Sequence, residues 1–213
     1  MSRAVIVSNG KAFDYSKYEG VFRSDDFIIC ADGGIHHLLK LGIYPDLWIG
    51  DFDSCKFDEL IKMYPKLKEV NTLVLKKDKD ETDTHFSCIK ALEMGYNEIL
   101  IVFASGGRLD HMLSNIHILE FILNKGAKAS ITDEKNTIHI CSDFISVPKV
   151  RKYLSVIPLD KEVTIEKSNG LLYPLNDFTL RREISMGVSN EIIDDKAEIY
   201  IKSGKTLIVE SDD

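Results

Sequence analysis

The sequence predicts an α/β N-terminal domain on a parallel, Rossmann-like sheet, residues 1–134, followed by a small all-β sandwich, residues 135–213. Three observations carry this. Up to Gly126, short apolar runs alternate with segments of helical period, the pattern of βαβ units. Beyond Gly126 the runs are short and extended, parted by turn signals such as Asn169-Gly170, Asn176-Asp177 and Ser203-Gly204, with no long helical pattern. Finally, several acidic or glycine-rich stretches directly follow apolar runs, the address of loops at the C-terminal ends of strands.

Residues 4–7 are the first buried strand, ending in Ser8-Asn9-Gly10. Residues 27–31 are the second, ending in Asp32-Gly33-Gly34, and a short helix follows until Gly42 stops it. Leu47-Trp48-Ile49 leads into Gly50-Asp51-Phe52-Asp53-Ser54, and a helix over 57–64 ends before Pro65. Residues 70–75 form a further buried strand leading into Asp78-Lys79-Asp80-Glu81-Thr82-Asp83. In the helix over 83–94, Thr82 or Asp83 caps the start and Phe86, Ile89, Ala91 and Leu92 form the apolar face. Residues 99–103 are the most apolar strand; Gly106-Gly107-Arg108 then opens a helix with Met112, Leu113, Ile116, Leu119 and Leu123 facing the core. In the C-terminal part, extended runs fall at 129–132, 137–141, 153–158, 162–166, 178–180, 197–201 and 206–209.

At 213 residues the chain supports one large domain or two small ones. A net charge of −7 argues against a general nucleic-acid or membrane-surface binder, which needs a basic face. The four cysteines form no C-x-x-C pair and read as buried reduced thiols, so the expected compartment is the cytoplasm. The N-terminus reads as a strand rather than a signal peptide, and no apolar run approaches transmembrane length.

Four strand-end loops, at Asp32-Gly33-Gly34, at Asp51 and Asp53, at Asp78, Asp80 and Asp83, and at Gly106-Gly107-Arg108, converge on one edge of a parallel sheet. Clustered carboxylates repel one another, and Mg²⁺ suits carboxylates combined with substrate phosphates. Asp51, Asp53, Asp80 and Asp83 are therefore candidate ligands or catalytic groups, with capping the alternative for Asp83. Gly106-Gly107 lets the backbone approach a phosphate at a helix N-terminus, and Arg108 can grip one bidentately. The plainer alternative for Arg108 is a surface pair with Asp110. Among the histidines, His85 and His111 lie near the expected site, and ordinary packing is the favoured reading.

Taken together, Ala31-Asp32-Gly33-Gly34, Pro45-Asp46, Gly50-Asp51-Phe52-Asp53-Ser54, the loop ending Thr82-Asp83, Gly106-Gly107-Arg108-Leu109-Asp110-His111 and Gly187-Val188-Ser189-Asn190-Glu191 resemble the thiamine pyrophosphokinase family over nearly the whole chain. The resemblance implies a nucleotide-binding α/β domain and a thiamine-binding, dimerising β-sandwich. It also implies a homodimer with its site between subunits and Mg²⁺-dependent pyrophosphoryl transfer from ATP to thiamine. It makes Asp51, Asp53 and Asp83 metal ligands and sets Asp80 near the metal. Asp32, Gly106, Gly107, Arg108 and Asp110 fall to the ATP site, and Ser189 and Asn190 to thiamine. The family often has Thr where Val188 stands, and often an aromatic residue on thiamine; the only tryptophan, Trp48, is in the wrong region for that. A metal-dependent phosphohydrolase and a non-catalytic nucleotide or thiamine-phosphate sensor are the alternatives.

Overall fold

The computed structural model describes residues 3–52, 55–76, 78 and 80–213. The chain separates into two compact units, Met1–Glu134 and Lys135–Asp213.

In the first unit, strands β1 (Ala4–Val7), β2 (Phe27–Ala31), β3 (Leu47–Gly50), β4 (Asn71–Val74), β5 (Glu98–Val102) and β6 (Lys128–Thr132) lie in the order β4-β3-β2-β1-β5-β6. Every neighbouring pair is parallel. β1 is buried throughout and β5 beyond Glu98, as their continuous apolar runs require when both faces of a sheet are covered. One face presents Val5, Val7, Ile28, Cys30, Trp48, Leu100 and Val102 to Ile35 and Leu38 of α1 (Ile35–Lys40) and Leu60 of α2 (Phe57–Met63). Helix α3 (Asp83–Glu93) packs on β1, β2 and β3, and α4 (Leu109–Asn124) packs on α3 and β6.

Three expectations need correcting. The strand after residue 70 is not buried: β4 is the last strand on its side, and Val74 is 70% exposed. In α3 the buried residues are Ser87, Cys88 and Ala91, while Phe86, Ile89 and Leu92 are half-buried. Small side chains let this helix lie close to the sheet, and the larger ones fill its flanks. In α4 the core face is Asn115, Ile118, Leu119 and Ile122; of the expected residues Leu119 is buried, Met112, Ile116 and Leu123 are half-buried, and Leu113 is 47% exposed. A polar residue occupies the centre of that face because its amide donates to the Ala104 carbonyl at 2.8 Å, so its burial leaves no orphaned donor.

The second unit is an antiparallel sandwich. One layer is β7 (Asn136–Cys141), β13 (Thr206–Ser211) and β9 (Tyr153–Pro158), in that order. The other runs β11 (Phe178–Arg181), β10 (Glu162–Asn169), β12 (Lys196–Ser203), β8 (Phe144–Pro148). Cys141, Leu154, Val156 and Ile208 of the first layer meet Val147, Val163, Ile165, Leu180, Ala197, Ile199 and Ile201 of the second. Alternate burial of Ala197, Ile199 and Ile201 follows the period of two. In β10 that period slips after Ile165, where a register shift against β12 marks a bulge. Strand β8 was not expected: it buries only Val147 and ends at Pro148, so its pattern is too short to read.

All four cysteines are free and buried. Among the described residues no helix is long and apolar enough to cross a membrane.

Candidate active site

Strand order reverses at β1, which lies between β2 and β5. Loops leaving the C-terminal ends of strands diverge at such a point and open a crevice, the usual ligand site of an open parallel sheet. A cavity of about 430 Å³ lies there. Its walls come from the loop after β1 (Ser8, Asn9, Gly10), the end of β2 (Ala31, Asp32), the start of α3 (Thr82, Asp83, Thr84) and the loop after β5 (Phe103, Ala104, Gly106, Arg108). His111 and Asn115 of α4 complete it.

The walls are fastened to one another. Ser8 Oγ lies 2.9 Å from Thr84 Oγ1, and Gly10 N donates to the Phe103 carbonyl at 2.6 Å. Only glycine fits at Gly10 and Gly34, because an added Cβ would lie 2.4 Å from the Phe103 and Ser105 carbonyl oxygens or 2.3 Å from that of Val7.

Asp32 is buried, with φ +42, a backbone region that non-glycine residues seldom occupy. The fully buried Trp48 donates its indole N–H to the Asp32 carbonyl at 2.9 Å, holding that conformation. Gly50 leaves room for the same residue, since a Cβ there would stand 3.0 Å from Asp32 Oδ1. The Cys55 thiol lies 3.8 Å from Asp32 Oδ1, and burial first, then the Asp32 charge, pushes that thiol up to about 12. Asp51 follows β3 and is half-buried. Beyond it Phe52, with φ +59, turns its ring onto Trp48 and Phe57, at centroid separations of 4.9 and 4.8 Å. Asp53 lies outside the described residues.

Thr82 caps α3, its hydroxyl accepting from His85 N at 3.2 Å, so Asp83 is the first helical residue rather than the cap. Asp83 lines the cavity, while Asp51 and Asp80 do not, and Asp80 is exposed. His85 turns toward α4, its ring edge-on to Phe121 at 4.9 Å.

Gly106 and Gly107 have φ of +74 and +83, a turn that leads into the N-terminus of α4 at Arg108. Arg108 pairs with Asp110 through two bonds, of 3.1 and 2.5 Å, both side chains exposed. The guanidinium holds the Asp110 carboxyl down at about 2. Gly107 and Asp110 are outside the cavity wall.

In the sandwich, Ser189 has φ +59 and its N–H donates to Ser155 Oγ at 3.0 Å. Asn190 is buried. Its Nδ2 donates to the Tyr173 carbonyl at 2.8 Å, and its Oδ1 accepts from the N–H groups of Tyr173 and Glu191 at 3.0 and 2.9 Å. The amide thus serves as a clamp that presents Tyr173, a residue 64% exposed, to solvent. Leu172, Ile184, Met186, Val188 and Ile193 of the same unit are also exposed.

Among the described residues no three His, Cys, Asp or Glu side chains gather closely enough to hold an ion. Two described carboxylates, Asp32 and Asp83, line the cavity, a number compatible with Mg²⁺, which takes one or two carboxylates and completes its shell with water and substrate phosphates.

Ser8, Asn9 and Gly10, together with Phe103 and Asn115, were not foreseen as site residues. Asn9-Gly10 directly after the first apolar run was the available signal; strand order, which gives it meaning, is not written in the sequence.

The fold and cavity define an α/β protein with a ligand crevice at its switch point, joined to a β-sandwich that exposes Tyr173 and several aliphatic residues. Residues 18–131 match the family model "Thiamin pyrophosphokinase, catalytic domain", and residues 135–208 match "Thiamin pyrophosphokinase, vitamin B1 binding domain". Thiamine pyrophosphokinase of Bacillus subtilis (strain 168) is 29% identical over 188 residues, 87% of each chain. A crystal structure of thiamine pyrophosphokinase from Bacillus subtilis superposes with a TM-score of 0.90 at 27% identity, covering all of both chains. Yeast thiamin pyrophosphokinase, at 16% identity, shares the fold with a TM-score of 0.77 over 99% of this chain and 86% of its own. The chain belongs to the thiamin pyrophosphokinase family, enzymes that diphosphorylate thiamine. The phosphohydrolase and sensor alternatives are not favoured.

Proposed function

We propose that this chain transfers the pyrophosphoryl group of ATP to the hydroxyethyl oxygen of thiamine, with ATP held in the switch-point cavity. One observation carries the reading: carboxylates, glycine-turn amides and an arginine, from loops far apart in sequence, meet where the strand order reverses. In this reaction the thiamine oxygen forms a bond to the β-phosphorus, and the bond from that phosphorus to the α,β-bridging oxygen breaks. The products are AMP and thiamine diphosphate, and the hydroxyl proton passes to a carboxylate or to solvent. Such transfers are accelerated mainly by positioning and charge neutralisation.

Asp51, Asp53 and Asp83 would hold Mg²⁺, with Asp80 close by. When bound, the ion would supply positive charge that offsets the phosphates and the departing AMP. Asp32 is the buried, backbone-locked carboxylate of the cavity wall. Gly106 and Gly107 let α4's first amides approach phosphate, and Arg108 grips an oxygen pair, its charge kept on the loop by Asp110.

Residues 135–213 supply thiamine binding and self-association into a homodimer. There Asn190 and Ser189 shape the surface, and Tyr173 offers a ring face to the vitamin's aromatic rings. Four buried free thiols support a reducing, cytoplasmic setting.

Asp51→Asn and Asp83→Asn, assayed for thiamine-dependent AMP release, are expected to lose at least about a hundredfold in kcat with unchanged melting temperature. Near-normal rates in both would remove the metal assignment.

A further inference from the structure

The buried side chain of His37 on α1 has no place in the reading above. It is 7% exposed. Its ring lies flat on Phe103, with centroids 4.1 Å apart and planes 5° from parallel. Nε2 is 2.8 Å from the Gly10 carbonyl oxygen, and Nδ1 is 2.7 Å from the Tyr15 hydroxyl. A carbonyl can only accept, so Nε2 carries the hydrogen; in the neutral ring Nδ1 then accepts from Tyr15. The neighbours therefore select one neutral tautomer.

Both residues that His37 holds are cavity wall, and they come from the loops after two neighbouring strands. Gly10 belongs to the loop after β1, and Phe103 to the turn after β5. Phe103 has φ +55, an outlier for an aromatic residue that its surroundings must enforce. Tyr18 stacks on the same ring, at 4.2 Å.

We propose that His37 is a positioning residue for nucleotide binding: its neutral ring, oriented by Tyr15, fixes the Gly10 carbonyl and the strained Phe103 turn as one rigid wall. This rests on the reading that ATP occupies the cavity. The titratable groups around His37 are Tyr15 and Tyr18 on the 15–18 turn and His36 and Lys40 on its own helix; Lys40 Nζ sits 5.0 Å over the Tyr15 ring. Burial, the largest influence, lowers the affinity of His37 for a proton; the Gly10 bond opposes this, and Lys40 and His36 add to it. The ring is thus neutral at pH 7. On acidification Nδ1 gains a hydrogen that faces the Tyr15 hydroxyl, and the pair must rearrange. Removing that hydroxyl takes from Nδ1 its partner in both protonation states, so the pH at which the ring gains a proton changes.

The test compares the intact wild type with Tyr15→Phe, His37→Ala and His37→Gln. It measures ATP affinity by calorimetry without thiamine, kcat and KM for both substrates, melting temperature, and the pH profile from about 5 to 8. His37→Ala is expected to weaken ATP binding about tenfold or more while leaving the thiamine KM unchanged. His37→Gln recovers part of the loss, since its amide can donate to Gly10. Tyr15→Phe shifts the acid limb for ATP without lowering the melting temperature enough to unfold the protein. Should His37→Ala fail to fold, Tyr15→Phe carries the test alone. An unmoved acid limb in Tyr15→Phe, or wild-type ATP affinity in folded His37→Ala, overturns the proposal. A wild type that binds no ATP overturns the nucleotide reading itself, whereas normal wild-type binding with unaffected variants overturns only the role of His37.

Discussion

Arg108 and Asp110 carry the clearest electrostatic signature at the candidate site. Both are exposed, so the pair adds little to stability, and its consequence is titration. The Asp110 carboxyl is held at about 2, below the ordinary carboxylate range. A carboxyl depressed in the folded state contributes above its unfolded value and loses that contribution as pH falls through the folded one. In Arg108→Ala, side-chain NMR is expected to find the Asp110 titration raised toward the ordinary value of about 3.9, the His111 N–H bond still holding it below, with an unchanged melting temperature and weaker ATP binding. An unmoved Asp110 titration would show that the pair does not form in solution. Asn190 is the contrasting case, a buried amide using both its ends. Asn190→Ala orphans the N–H and C=O of Tyr173, and about 1–3 kcal/mol should be lost in urea unfolding. The thiamine KM should rise while ATP affinity holds. A sequence motif marked Asn190 but not its inward orientation, because the partner, Tyr173, is a loop residue with no pattern of its own.

At the element scale, periodicity located helices α3 and α4 but only part of the faces they bury, Ala91 and Leu119 among the expected residues. Apolar counting favoured Phe86, Ile89, Ala91 and Leu92; of these only Ala91 is buried, beside the small side chains of Ser87 and Cys88. Ser87 is tolerated there because its hydroxyl donates to the Asp83 carbonyl at 2.7 Å. In α4 the core position of Asn115 was hidden for the same reason: only its bond to Ala104 makes burial acceptable. Cap chemistry was legible as far as two candidates, and Thr82 takes the role. Thr82→Ala should lower stability by about 1 kcal/mol in chemical denaturation. It should also loosen Asp83 and raise the ATP KM. Stability equal to wild type would mean that the α3 N-terminus is satisfied in another way.

For the molecule as a whole, the class of each half was written in the sequence, since continuous apolar runs and period-two runs demand different sheets. That Asp32, Asp83 and the Gly106 turn share one edge was legible too, because all parallel strands end on one edge, although Asp51 and Asp80 stay off the cavity wall. Strand order was not. It fixes the crevice between the loops after β1 and β5, and so brings Ser8, Asn9 and Gly10 into the site. Long-range pairing of this kind depends on packing between segments nearly a hundred residues apart and leaves no local trace. The central claim is that these walls, with the sandwich, serve pyrophosphoryl transfer. Its most direct measurement is incubation of the full chain with ATP, Mg²⁺ and thiamine, followed by chromatography of the nucleotides. AMP and thiamine diphosphate appearing in equal amounts, and only when thiamine is present, is the predicted result. ADP or free phosphate formed without thiamine, or no turnover at all, would contradict it.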